Sequence, residues 1–192
     1  MHEIEPRAGS ECSLRYEQCR AHADGHFDQV ILWHVLEHLT NPREVLAEIH
    51  RILKPGGQVI VAVPNFSSLQ AEWTGPAWFH LDLPRHLYHF PVEGLRTLLQ
   101  RTQFAIAREQ HFSLRQNPFG WVQSAFNRRD TQSRNRLYNM LHNRTGENVA
   151  GDPLDRLKLR TAYLGGMPLA LAVSGWATLR RRGASVCLVG RK

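Results

Sequence analysis

The sequence predicts an α/β fold built on a parallel sheet, and three features of residues 27–65 predict it. First, FDQVILWHVLEHLTNPREVLAEIHRILKPGGQVIVAVPN reads as strand, helix, strand. Second, the lengths agree: a helix of about 12 residues is roughly 18 Å long, and a strand of about 6 residues is roughly 20 Å. The helix can therefore return the chain along the first strand, so the second strand runs parallel to it. Third, neither strand alternates apolar with polar residues, which points to a sheet covered on both faces. Crossovers of this kind are right-handed in about 98% of cases.

The elements follow in order. Residues 1–26 have no clear period and form an irregular N-terminal segment. Gly9 is the only glycine before Gly25, so no glycine-rich phosphate loop lies there. Phe27, Val30, Ile31 and Leu32 make a short apolar run suited to a buried strand. A break follows at Thr40-Asn41-Pro42. Asn41 or Thr40 can cap the next helix, Pro42 fits its first position, and Glu44 suits its positive end. Val45, Leu46, Ile49, Ile52 and Leu53 recur at helical spacing. Lys54-Pro55-Gly56-Gly57 stops that helix, and Val59 to Val63 is a second, β-branched strand.

Phe66 to His89 is rich in aromatics, histidine and proline. A long ordered segment at a strand's carboxyl end is usually functional. The bland alternative is a lid that buries aromatics only to stay ordered. Pro91 opens a helix with Val92, Leu95, Leu98 and Leu99 on one face, and Phe104 to Glu109 reads as a third strand. Residues 113–161 read as an insertion, with helical pieces around Trp121–Phe126 and Leu137–His142. Ala162 to Leu179 is an uncharged run of 18 residues, at the lower edge for a membrane span. Gly165, Gly166, Pro168 and Gly175 weaken a single continuous helix there, so a packed, lid or interfacial helix is expected. After a turn at Gly183, Ser185 to Val189 is the last strand. The expected divisions are 1–26, a core over 27–112, a helical insertion over 113–182 and a final strand over 183–192.

Composition narrows the class. The formal net charge is +7, and arginines crowd the C-terminal third from Arg128 to Arg182. A basic face attracts nucleic acid, anionic lipid or an acidic substrate, and is otherwise a solvated surface. No aromatic-basic nucleic-acid motif accompanies these arginines, so no nucleic-acid partner is expected. Cys12, Cys19 and Cys187 give neither a disulfide framework nor zinc spacing. With a polar N-terminus and no signal peptide, a cytoplasmic location is expected.

His34, Glu37 and His38 match H-x-x-E-H, a zinc-hydrolase pattern. It sits on a single turn between a strand and Pro42, with no third ligand singled out downstream, so no metal is expected. The same stretch resembles the second half of a class I S-adenosylmethionine-dependent methyltransferase. In that family a strand beginning F-D-x-V ends in a segment like H-V-L-E-H-L, followed by a helix, a K-P-G-G turn and a strand ending in P-N. WFHLDLPRHLYHF also resembles the W-x-x-L-D-x-P-R-H-L-x-x-F segment of the branch that includes ubiquinone-biosynthesis-type methyltransferases. The helix from Pro91 and the strand ASVCLVGRK fit the end of the family pattern.

The resemblance implies an incomplete Rossmann-like class I methyltransferase sheet, strands four to seven with the last antiparallel, plus the helical insertion. It implies S-adenosylmethionine as cofactor, beside Trp33, His34 and Val35. Asn65, Trp78 and Arg85 would face the acceptor. His38 and His86 are the candidates to take the acceptor's proton, since an imidazole titrates near neutral pH. Each could equally be a hydrogen bond that ties the lid to the sheet. The sequence departs from the family where the glycine-rich loop and an acidic ribose ligand would be. A βαβ unit takes about 30 residues, so a truncated chain is expected, lacking roughly 60–90 residues. The expected function is methyl transfer to a small or lipid-like acceptor. The alternative is a catalytically inactive remnant acting as a binding or membrane-surface module. Peripheral membrane contact through 162–182 and self-association through an uncovered sheet edge are the partner classes left open.

Overall fold

A computed structural model describes residues 22–114, 116–129, 134–141 and 153–192. Most of the expected irregular segment 1–26 lies outside the described residues. The chain divides into two units. The first comprises the chain up to Val63, Glu93–Glu109 and Cys187–Lys192; the second comprises Pro64–Val92 and Gln110–Val186.

The first unit carries the sheet. Strand β1 (Phe27–Trp33), helix α1 (Pro42–Ile52) and strand β2 (Leu53–Pro64) form the expected strand–helix–strand. The two strands are parallel, with Val30 opposite Val59 and Trp33 opposite Ala62. Helix α3 (Val92–Arg101) and strand β3 (Ala105–Gln110) follow, and β4 (Ser185–Arg191) closes the order β1-β2-β4-β3. Helix α2 (Leu69–Thr74) belongs to the second unit. Strand β4 is antiparallel to β2: Ala184, before its start, accepts from Asn65 N–H just past the end of β2, and Lys192, after its end, pairs with Gly56 and Gly57 near the start of β2.

Packing explains the order. Val59, Val61 and Val63 of β2 and Leu188 of β4 are fully buried, with Leu46, Ile49 and Ile52 of α1 and Leu95 and Leu99 of α3. Full burial of such a side chain contributes about 1.5–3 kcal/mol. Gly190 permits a close approach. A Cβ there would sit 2.9 Å from Phe104 Cβ and 3.1 Å from Val59 Cγ1. Arg96 ties α3 to β3 through two bonds of 2.7 Å to the Glu109 carboxylate. That fork, backed by Glu93, raises its guanidinium pKa, with burial opposing. Arg51 binds Asp24, Glu48 and the His22 carbonyl, and so anchors residues 22–24 on α1.

Three local expectations are corrected. The Lys54–Gly57 turn does not precede β2 but is a bulge within it. The register jumps from Phe27↔Leu53 to Gln29↔Gln58, and Gly56 takes up the left-handed φ of +78°. Asn41 is the N-cap, but its side chain does not cap the backbone; its Nδ2 donates to Glu44 Oε2 at 3.4 Å. And β1 does alternate in burial, with Val30 and Leu32 buried and Gln29 and Trp33 exposed, so one of its faces is covered and the other is open.

The second unit is mostly helical. It contains α2, 3-10 turns at Gly75–Ala77 and Phe79–Leu81, α4 (Gln116–Arg129), α5 (Arg136–Leu141) and α6 (Pro153–Leu179). Val122, Leu137, Met140 and Ala170 form its core, with Phe119, Trp121, Phe126 and Tyr163 packed around them. Helix α6 runs unbroken through Pro168; a helix was expected there, with its glycines and proline weakening its continuity. Gly183 leads into β4 where no side chain fits: a Cβ would lie 1.7 Å from the His111 carbonyl oxygen.

Candidate active site

Two sets of the expected residues occur, one in each unit. The first gathers at the carboxyl end of β1. His34 N–H extends the ladder to Ala62 O at 2.9 Å. The chain then turns through His34 at φ +52°, a left-handed conformation that costs a non-glycine residue about 1–2 kcal/mol. This re-aims the backbone out of the sheet into the 3-10 turn Leu36–His38. Leu36 is fully buried and pins that turn. Because His34 precedes the turn in a non-helical conformation, His34 and His38 do not share a helical face.

Trp33 is 57% exposed, and its ring meets His34 edge-on at 5.9 Å. Val35 is half-buried and His38 exposed. Glu37 is the surprise of this segment. It is 1% exposed, and His34 Nδ1 lies 3.3 Å from its Oε1. An ionised carboxylate only accepts, so the imidazole donates from Nδ1. Oε2 is buried and has no hydrogen-bond partner among the described residues. A buried, half-satisfied carboxylate is costly.

The second set lies in the aromatic segment after β2. Asn65 is completely buried. Its Nδ2 donates to Gly183 O at 3.0 Å, and its Oδ1 accepts from Ser67 N and Ser67 Oγ at 3.0 and 2.7 Å. Both acceptor sites of the amide oxygen are filled. Trp78 is also buried, and its Nε1 donates to Gln70 Oε1 at 3.1 Å. Gln70 in turn donates to Asn117 O. Gly120 makes room for it: a Cβ there would lie 2.5 Å from Gln70 Oε1. Phe79 N–H donates to Ser124 Oγ, and Asn127 donates to Ala77 O. The segment is thus bolted to α4. Asn65 and Trp78, expected as acceptor contacts, are buried and hydrogen-bonded within the second unit.

Arg85 and His86 have a different setting. Asp82 adopts the left-handed region at φ +31°, and its carbonyl accepts from Arg85 N–H and His86 N–H. Arg85 is half-exposed and pairs with the Asp82 carboxylate at 2.6 Å. His86 Nδ1 is 2.7 Å from His80 O. A carbonyl only accepts, so Nδ1 carries the proton, and the basic lone pair of neutral His86 is on Nε2, 4.0 Å from Asp82 Oδ2. An imidazole held in one tautomer by its other nitrogen is suited to proton transfer. Asp82 belongs to the clustered residues of this segment, but the sequence assigned it no role, although its spacing of three and four residues before Arg85 and His86 was visible.

The parallel β1–β2 pair, the crossover helix and the antiparallel last strand define a Rossmann-like α/β fold of the class I methyltransferase type. A family model described as "Methyltransferase domain" matches residues 3–109, more than half the chain. This chain belongs to the methyltransferase-domain family, whose cofactor is S-adenosylmethionine. It is 41% identical over 49 residues to a ubiquinone biosynthesis O-methyltransferase of Pseudomonas aeruginosa, covering 26% of this chain and 21% of that protein. It is 34% identical over 101 residues to a protein of the same name from Maricaulis maris, covering 48% of this chain and 40% of that one. The chain therefore spans less than half the length of either relative. A SAM-dependent methyltransferase from Archaeoglobus fulgidus superposes with a TM-score of 0.50 at 15% identity, over 92% of this chain and 64% of that one. At that identity the likeness concerns the fold.

The residues present fit one side of such a cofactor. Trp33 offers an exposed ring face, and the Glu37 carboxylate keeps one oxygen without a hydrogen-bond partner among the described residues beside the end of β1, which suits a cationic sulfonium.

Proposed function

We propose that this chain carries part of the catalytic face of an S-adenosylmethionine-dependent methyltransferase acting on a small or lipid-like acceptor. One observation carries the reading: the parallel register of β1 and β2 brings the Trp33–His38 segment to the carboxyl edge of the sheet, where open α/β sheets bind ligands. Trp33, His34 and Val35 form the cofactor side. Those residues would hold the cofactor, which would supply an electrophilic methyl carbon carried on a thioether leaving group. The chain's own residues orient the reactants, and orientation alone accounts for much of the rate of such a displacement. His86, held in its Nδ1–H tautomer, takes the acceptor's proton at Nε2, with His38 the second candidate. Arg85, half-exposed, is the group for an anionic part of the acceptor. Asn65 and Trp78 act on the acceptor through the shape of the segment.

Calorimetric titration with S-adenosylmethionine tests this reading. Saturable binding that weakens at least tenfold in Trp33→Ala supports it, and the absence of binding to the folded chain removes it.

A second reading has its own observation. Helix α6 is long and apolar enough to cross a bilayer by length and composition, and little of it is buried. Leu164, Leu169, Trp176 and Leu179 are all more than half exposed, and Arg180 stacks over Trp176 at 5.2 Å. An exposed tryptophan beside cations suits a membrane surface. In this reading the chain is a membrane-surface module without catalysis. Flotation with anionic vesicles that persists unchanged in the double variant Trp176→Ser, Leu179→Ser would remove it.

A further inference from the structure

The second unit contains an apolar groove of about 780 Å³ between α2, α4 and α6. That is within the size range of small-molecule sites, roughly 300–1,000 Å³. Its walls are aromatic: Trp73 from α2, Trp121 and Phe126 from α4, and Trp176 from α6. Small residues such as Ala125 and Gly166 keep it open. Along α6 the wall runs from Ala162 to Trp176, about 21 Å at 1.5 Å per residue, long and narrow rather than round.

Charge at the groove is specific. Only Glu72 and Arg129 among the lining residues are charged. Glu72 is neutralised by Arg182 at 2.6 Å. The neighbouring Arg128 is engaged by Trp73: its guanidinium donates to Trp73 O at 3.2 Å and lies 4.8 Å from the ring centroid. Arg129 has no ion-pair partner among the described residues. An apolar slot with Arg129 at its edge, and with Arg128 and Arg180 stacked over two of its tryptophans, complements a long chain that ends in an anion. A second copy of this chain is a poor occupant, because it brings a formal net charge of +7 to a cationic rim. A bilayer is a poor occupant too, because the aromatic walls line a concavity.

We propose that this groove binds a free long-chain fatty acid, its chain between Trp73, Trp121 and Trp176 and its carboxylate on Arg129. The site stands on the second unit alone, so its test is independent of cofactor binding. Three of the five tryptophans of the chain line the groove, and a bromine-bearing chain would quench them on contact.

The experiment titrates the full chain with monomeric dibromostearate and reads tryptophan fluorescence. Saturable quenching at micromolar concentration is expected. Arg129→Gln should weaken binding of the acid at least fivefold while leaving the brominated C18 alcohol unchanged. Ala125→Trp, which fills the groove, should abolish saturable quenching of the native tryptophans, with circular dichroism reporting the fold. The proposal is overturned by no quenching by monomeric acid, by equal binding of acid and alcohol with no effect of Arg129→Gln, or by quenching only with brominated phospholipid vesicles. A concentration-dependent dimer that excludes the acid would assign the groove to a second copy instead.

Discussion

Asn65→Ala separates a shaping role from direct acceptor contact. The substitution removes three hydrogen bonds at a position with no exposure: one donated to Gly183 O and two accepted from Ser67. A typical intramolecular hydrogen bond contributes about 0.5–1.5 kcal/mol net, and a buried group left unsatisfied costs about 1–3 kcal/mol. Ser67 is only part-buried and can recover water for its hydroxyl. The Gly183 carbonyl contact is buried and recovers little. Together these give a loss of about 3 kcal/mol, or a fall in Tm of roughly 6–12 °C for a chain of this size. Urea unfolding followed by tryptophan fluorescence measures it, with Asn65→Asp as a control that keeps the acceptor for Ser67 and loses the donor to Gly183. A loss below about 0.5 kcal/mol, within the range of a surface substitution, would refute the bonded-inward account of Asn65 and return it to the list of direct acceptor contacts.

Other outcomes follow from the same geometry. Gly190→Val should destabilise by about 1–3 kcal/mol through overpacking, because its Cβ would press on Phe104 Cβ at 2.9 Å; thermal unfolding measures this. Glu37→Gln removes the buried charge yet keeps an oxygen for His34, so stability should hold or rise while cofactor affinity in calorimetry falls. Burial and then the charge of Lys192 hold the His50 imidazole below its ordinary value of 6.5. The unfolded chain therefore takes up that proton first as pH falls. Stability should decline below about pH 6.5 and level off once folded His50 is also protonated. His50→Gln should flatten that part of the profile in urea titrations across pH 5–8.

The strand–helix–strand core was legible because its signals are local. Val59 to Val63 and the stripe from Val45 to Ile52 are both pattern and core, and Pro42 marks the helix start. The sheet order, with β4 beside β2, was not legible, because pairing partners far apart leave no local pattern; the family resemblance implied only that the last strand is antiparallel. Helix α6 was expected as a helix, but its continuity was not legible, for a physical reason. Glycine costs a helix interior about 1 kcal/mol and proline about 3, and those penalties are visible in a string of residues. The packing that offsets them, Ala170 in the core with Val122 and Tyr163 against it, is not.

At the candidate site the residue types were legible and their environments were not. Nothing in WHVLEH announces that His34 turns through a left-handed conformation or that Glu37 points inward with an unpartnered oxygen. Asn65 and Trp78 look like polar and aromatic contacts in a loop. Their burial comes from Gly183, Gln70 and α4, which lie close or far in sequence without any shared motif.

The most direct test of the central claim is photolabelling with S-adenosylmethionine tritiated at the methyl group, followed by tryptic mapping. The account predicts saturable label on the peptide that ends at Arg43, which holds Trp33 to His38, and loss of that label with excess S-adenosylhomocysteine. Label confined to peptides from α4 to α6, or no competable label at all, would contradict a cofactor face at the carboxyl end of β1.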